Sequence, residues 1–128
     1  MKVRKVTEKY FIFSRSKGGF VEVDGEPITI NGLEFDFFIH KGLPGADDWV
    51  VSEGITGSMF GSGMDRNEAI ECGKEMVSGR SREGIKRAIE QGVEKRGLSP
   101  RYEIFTETEF EELQQIATKG EKKGYEEW

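Results

Sequence analysis

Asp48-Trp49-Val50-Val51-Ser52-Glu53, followed by Gly54-Ile55-Thr56-Gly57-Ser58-Met59-Phe60-Gly61-Ser62-Gly63 and then by Asp65-Arg66-Asn67-Glu68-Ala69-Ile70, is the stretch whose reading decides the fold. An apolar β-forming run gives way to glycine and threonine punctuation and then to a helix-start signal, so strand, turn, strand and helix follow in order. Asp65 is a good N-cap, and Glu68, three residues on, is placed to return a hydrogen bond to the cap's own amide. Ala69, Ile70, Cys72, Met76 and Val77 then share one side at helical spacing, and Gly79 is placed to stop the helix.

Upstream, Tyr10-Phe11-Ile12-Phe13 is strongly β-forming, and Ser14 to Gly19 is a loop by composition. Phe20-Val21-Glu22-Val23 alternates apolar and polar residues, and Asp24-Gly25 is a pair that supplies the positive φ angles of a two-residue hairpin turn. Glu26 to Ile30 is the return strand, and Pro27, with no amide proton, restricts it to a strand start or a sheet edge. Asn31-Gly32 repeats the hairpin signal and leads into a strand from Leu33 to His40. Its two-residue period puts Leu33, Phe35, Phe37 and Ile39 on a buried side, with Glu34, Asp36, Phe38 and His40 on a largely wet side.

Downstream, Ser81 caps a second helix with the apolar stripe Ile85, Ala88, Ile89 and Val93, ending near Gly97. Tyr102 to Phe105 reads as one more strand, and Thr106 with Glu109 as the start of a third helix carrying Phe110, Leu113, Ile116 and Ala117. Residues 120–128 are polar enough to read as a disordered tail, in which Tyr125 and Trp128 are the side chains suited to anchoring a partner. The expectation is a single α+β domain over residues 1–119, an antiparallel meander of five to six strands followed by helices packed on one face.

A net charge of −5 argues against whole-surface attraction to nucleic acid and shifts attention to how charge is distributed. Residues 80–101 hold Arg80, Arg82, Lys86, Arg87, Lys95, Arg96 and Arg101, whereas Glu103, Glu107, Glu109, Glu111 and Glu112 dominate the segment C-terminal to them. The basic run is the candidate nucleic-acid surface, since Arg and Lys on a helix can track phosphates. Interleaved Glu83, Glu90 and Glu94 suit intrahelical pairing and favour a solvated helix face. One cysteine, a basic start without a signal-peptide core and no apolar run of membrane-spanning length point to a cytoplasmic setting.

Catalytic groups are sparse. Gly61-Ser62-Gly63 is not followed by Gly-Lys-Ser or Gly-Lys-Thr, and Asp65 puts negative charge where a phosphate would sit, so these read as turn and bulge glycines. His40 and Cys72 are each the sole residue of their type; His40 reads as a surface group at a strand end, and Cys72 as a buried, inert thiol. Asp47, Asp48 and Glu53 are the acids able to gather a hard metal ion, though beside a Gly and Pro loop they also read as ordinary turn formers.

The segment Trp49 to Glu53, the turn, Gly61-Ser62-Gly63 and Asp65 to Ile70 together resemble the sheet-to-helix core of HicB-type antitoxins and of many small phage and mobile-element proteins. Glu68-Ala69-Ile70 stands where their Glu-Ala-apolar triplet lies, although Glu53-Gly54-Ile55-Thr56-Gly57 replaces the usual Pro-Asp-Leu-Pro-Gly turn. The resemblance implies a non-catalytic binder built from a sheet and a helix. The resulting expectation is a small non-enzymatic binding or regulatory protein without a cofactor, acting on a protein partner, with homodimerisation open at the sheet edge near Pro27. Nucleic-acid binding through the basic helix of residues 80–101, on Arg80, Arg82, Lys86, Arg87, Lys95 and Arg96, is the alternative, and a metal-dependent hydrolase on Asp47, Asp48 and Glu53 a further one.

Overall fold

The computed structural model describes residues 2–42, 47–104 and 126–127. In chain order the strands are β1 (Lys2–Lys5), β2 (Tyr10–Ser14), β3 (Gly19–Val23), β4 (Gly25–Ile28), β5 (Phe37–Lys41), β6 (Trp49–Glu53) and β7 (Met59–Gly63). Helices α1 (Arg66–Ser78) and α2 (Arg82–Arg96) come next, then β8 (Tyr102–Ile104) and β9 (Glu126–Glu127). All ladders are antiparallel: a four-stranded meander β4-β5-β6-β7, the hairpin β2-β3, and a small sheet β8-β1-β9. The molecule is α+β, with strands first and helices packed on the meander, as the sequence pattern implies.

The order of strand, turn, strand and helix in the deciding stretch is as expected. Asp65 caps α1, its Oδ1 accepting from the Glu68 amide at 2.8 Å. The returning bond from Glu68 reaches one residue further back than a capping box requires, to the Met64 amide at 3.1 Å. Phe37, Ile39 and Val51 from the sheet, and Ala69, Val77, Ile85 and Ile89 from the helices, are all essentially sealed from water and form the main core. Each of these side chains other than that of Ala69 contributes roughly 1.5–3 kcal/mol on transfer out of water. The three glycines of β7 and α1 set how close these layers come. A Cβ on Gly61 would fall 2.5 Å from the Gly73 amide nitrogen, and one on Gly63 would fall 2.5 Å from that of Ala69. Gly73 is therefore a contact residue of α1, while Met76, expected on the apolar stripe, is exposed and Cys72 is only half-buried.

Upstream the strand pairing differs from the sequence reading. Asn31 and Gly32 do adopt positive φ (51° and 68°), and Leu33 donates to the Ile30 carbonyl at 3.0 Å, closing the expected tight turn. Asp24 and Gly25 do not, because β3 pairs with β2 over its whole length while β4 pairs with β5. Gly25 instead permits close approach, since a Cβ there would meet the Tyr10 and Phe38 rings at 2.8 Å. Pro27 does sit on an edge strand of the meander.

The strand expected from Leu33 begins only at Phe37, because Asp36 is drawn into a buried network with Arg101 and Tyr102. Phe38 and His40, expected to be wet, are buried: Tyr10 stacks on Phe38 at 4.4 Å between ring centres, so the face of the sheet away from α1 is covered too. β1, not anticipated, places Val3 in the core. The tail, expected to be disordered, supplies Glu126–Glu127 as a backbone partner for Lys2 and Val3. The third helix expected from Thr106, along with Tyr125 and Trp128, lies outside the described residues. Among the described residues no helix is long and apolar enough to cross a membrane.

Candidate functional site

The expected basic helix forms and then scatters its charges. Ser81 Oγ accepts from the Gly84 amide at 3.0 Å to start α2, and Ile85, Ile89 and Gly92 are its buried residues. With 3.6 residues per turn, Arg82 and Arg96 lie on the same stripe as Ile89, so both guanidinium groups must reach out past the core. Arg82 lies over the Phe35 ring at 5.8 Å, whereas Arg96 lies over Phe13 at 5.6 Å and donates to Ser58 Oγ at 2.6 Å. Lys86, Arg87 and Lys95 point along other directions of the helix. Among the described residues, Arg82, Arg87, Lys95 and Arg96 make no ion pair within 4.0 Å, so the intrahelical pairing expected for Arg87 and Lys95 is not formed.

Two members of the basic run meet a third arginine that sequence proximity does not suggest. Arg80, between the helices, and Arg96, at the end of α2, line an open groove of about 510 Å³ together with Arg15 of the β2-β3 turn. Its walls include Phe13, Met59, Phe60 and Met76, and no described lining residue is acidic. Met59 and Met76 are 64 % and 46 % exposed, a large share for apolar side chains facing the same space. Arg15 and Arg80 form no ion pair among the described residues.

One wall of this groove is held by a buried acid. Glu53 is fully enclosed and accepts from the Ile55 amide (2.5 Å), the Thr56 amide (2.9 Å) and the Thr56 hydroxyl (2.7 Å). Burial pushes its carboxyl up to about 7, against the opposing pull of these hydrogen bonds. The Thr56 hydroxyl also lies 2.9 Å from Ser58 Oγ, which accepts from Arg96, so a chain of hydrogen bonds runs from the buried acid to the groove. Gly57, at φ 67°, brings this turn against β2, where its carbonyl accepts from the Phe13 amide at 3.1 Å. Glu53 thus acts as an internal turn cap.

That role separates it from the other candidate metal ligands. Asp47 and Asp48 precede β6 and Glu53 ends it, a span of roughly 16 Å from Asp48 at strand rise. Among the described residues no three His, Cys, Asp or Glu side chains are grouped to hold an ion. His40 is enclosed, its ring nitrogens 2.7 Å from the Lys41 carbonyl and 2.8 Å from Ser52 Oγ, and burial lowers its pKa. Gly61 and Gly63 serve the packing of α1 on β7.

Arg101, the last of the basic run, is withdrawn from any surface role. It is 2 % exposed, pairs with Asp36 at 2.8 Å, and donates to the Thr7 and Lys9 carbonyls at 3.1 Å. Tyr102 adds a hydrogen bond to the same carboxylate at 2.7 Å. A second groove, of about 620 Å³, lies along β4 and carries Glu22, Asp24, Glu26, Lys41 and Trp49. Of the two, only the Arg15, Arg80 and Arg96 groove gathers side chains of one charge without a counter-charge among its described lining.

Arg15, Met59 and Met76 escape a reading of the sequence because nothing local marks them; only an unexplained Met at an exposed helix position, once α1 is placed, points toward this side. Compared with protein-family models, curated proteins and solved structures, the chain matches none.

Proposed function

We propose that the protein is a small non-enzymatic binding protein that associates with an anionic macromolecule through the groove of Arg15, Arg80 and Arg96. The observation carrying this reading is the convergence of three arginines, drawn from separate parts of the chain and unopposed by any described acid, on a molecule of net charge −5. Such a local field attracts an anion that the molecule as a whole repels. The guanidinium of Arg96 is already oriented by Ser58, which reduces the ordering cost of contact. The resemblance of residues 48–77 to HicB-type antitoxin cores, and to small phage and mobile-element proteins, fits a protein that works by association.

The test is retention on a polyanion matrix such as dextran sulfate. Arg15→Glu with Arg80→Glu is compared with Arg87→Glu with Lys95→Glu, a pair that changes net charge equally at sites outside the groove. The reading expects the first double variant to lose retention and the second to keep most of it. Equal loss in both would reduce the effect to bulk charge and sink the proposal.

A further inference from the structure

Resting on that reading, we infer that the groove takes an acidic peptide segment bearing aliphatic side chains, presented by a partner protein. Charge complementarity fixes the sign of the occupant: Arg15, Arg80 and Arg96 call for carboxylates or phosphates. The apolar lining then separates a peptide from a nucleic acid. Single strands bind by laying bases on open aromatic faces. The groove offers little of this among its described residues, since Phe60 is 7 % exposed with its ring packed against Phe37 at 5.4 Å and Phe13 is half-buried. Phe13 packs edge-on against Phe20, also at 5.4 Å, and carries Arg96 over its face.

What the groove does expose is thioether. Met59 and Met76 are unbranched and conformationally adaptable, suited to enclosing Leu, Ile or Met side chains of varied shape. Met59 also opens β7, the last strand of its sheet. Along β7 it is Met59 and Ser62 that are exposed, while Phe60 and Gly61 are buried, so the occupant meets this strand through side chains and not as an added strand. Aliphatic side chains between the two methionines, with carboxylates toward the arginines, satisfy both halves of the lining.

The experiment is fluorescence anisotropy with three labelled probes at one ionic strength: a dodecapeptide alternating Glu and Leu, the same peptide with Ser for every Leu, and a twelve-nucleotide oligothymidylate. The inference expects the Glu/Leu peptide to bind most tightly and the Glu/Ser peptide about tenfold or more weakly, the scale of losing a buried anchor. Met59→Ser with Met76→Ser should reduce the preference for Leu over Ser, with the thermal midpoint unchanged because both side chains are already exposed. Tighter binding of oligothymidylate than of the Glu/Leu peptide overturns the peptide inference and leaves the anionic groove standing. Equal binding of the two peptides overturns the aliphatic anchor. If no probe binds, or Arg15→Glu with Arg80→Glu changes nothing, the groove reading falls as well.

Discussion

Glu53 and His40 are buried ionisable groups whose effects on stability run in opposite directions. Folded Glu53 keeps its proton up to about pH 7, whereas the unfolded chain releases it near 4.5, so over that window the folded state binds more protons. Stability attributable to Glu53 therefore falls as pH rises, by up to about 1.4 kcal/mol per pH unit. His40 is held below its ordinary 6.5, so the unfolded chain takes up a proton first and stability is lost as pH drops below that value. Urea denaturation between pH 4.5 and 7 should show the wild type with a shallow profile. Glu53→Gln should leave only the rise with pH, and His40→Gln only the decline. A His40→Gln profile no steeper in decline than wild type would contradict the assignment. Arg101 belongs to this scale as well. Arg101→Met strands the Asp36 carboxylate and should cost about 3–5 kcal/mol in the same assay. Arg101→Lys should recover little, because one ammonium cannot reach Asp36 and both backbone carbonyls together. A loss under about 1 kcal/mol for Arg101→Met would show that the pair is not structural.

Among the elements, α1 and β7 approach backbone to backbone. Gly61 faces backbone at 2.5 Å, while a Cβ on Gly73 would meet the ends of Ile30 and Val51 at 3.3 Å. Side-chain ends can shift and backbone cannot, and Ala at position 73 also gains about 1 kcal/mol of helix propensity. Gly61→Ala should therefore destabilise by about 1–3 kcal/mol or more, with Gly73→Ala close to neutral. Thermal melts of the two variants check this, and equal destabilisation would mean that the joint is limited by the Gly73 surroundings. The glycines are legible in the sequence as punctuation, and the helix after them is legible from its cap. Their role in close approach is not, since it depends on which helix residue lies opposite. For the same reason Asp24-Gly25 misreads as a hairpin: local turn chemistry fits both a turn and a passage between sheets, and pairing of β3 with β2 over its whole length decides between them.

At the scale of the whole molecule, the two described grooves differ in charge: the one at β4 is mixed, with Lys41 in its lining and Glu22 and Glu26 paired to Lys9 and Arg66, and the one at β7 is basic. Glu22, Asp24 and Glu26 line the groove at β4, and Arg15, Arg80 and Arg96 the one at β7. Four strands put these edges roughly 14 Å apart, beyond the Debye length of about 8 Å at physiological salt. Glu22→Gln with Asp24→Asn should therefore change polyanion affinity less than about twofold at that salt, and a larger gain would mean that net charge and not the groove governs binding. The sequence by itself determined the α+β class, the caps of both described helices, the Asn31-Gly32 turn and the scarcity of catalytic groups, because these depend on residues within one turn or one strand of each other. Only the tertiary structure decided that Phe38, His40 and Glu53 are enclosed, that Arg101 is structural, and that Arg15 joins Arg80 and Arg96. Each of those depends on which distant segments become neighbours, and that is settled by the packing of the sheets and helices on one another, not by local pattern.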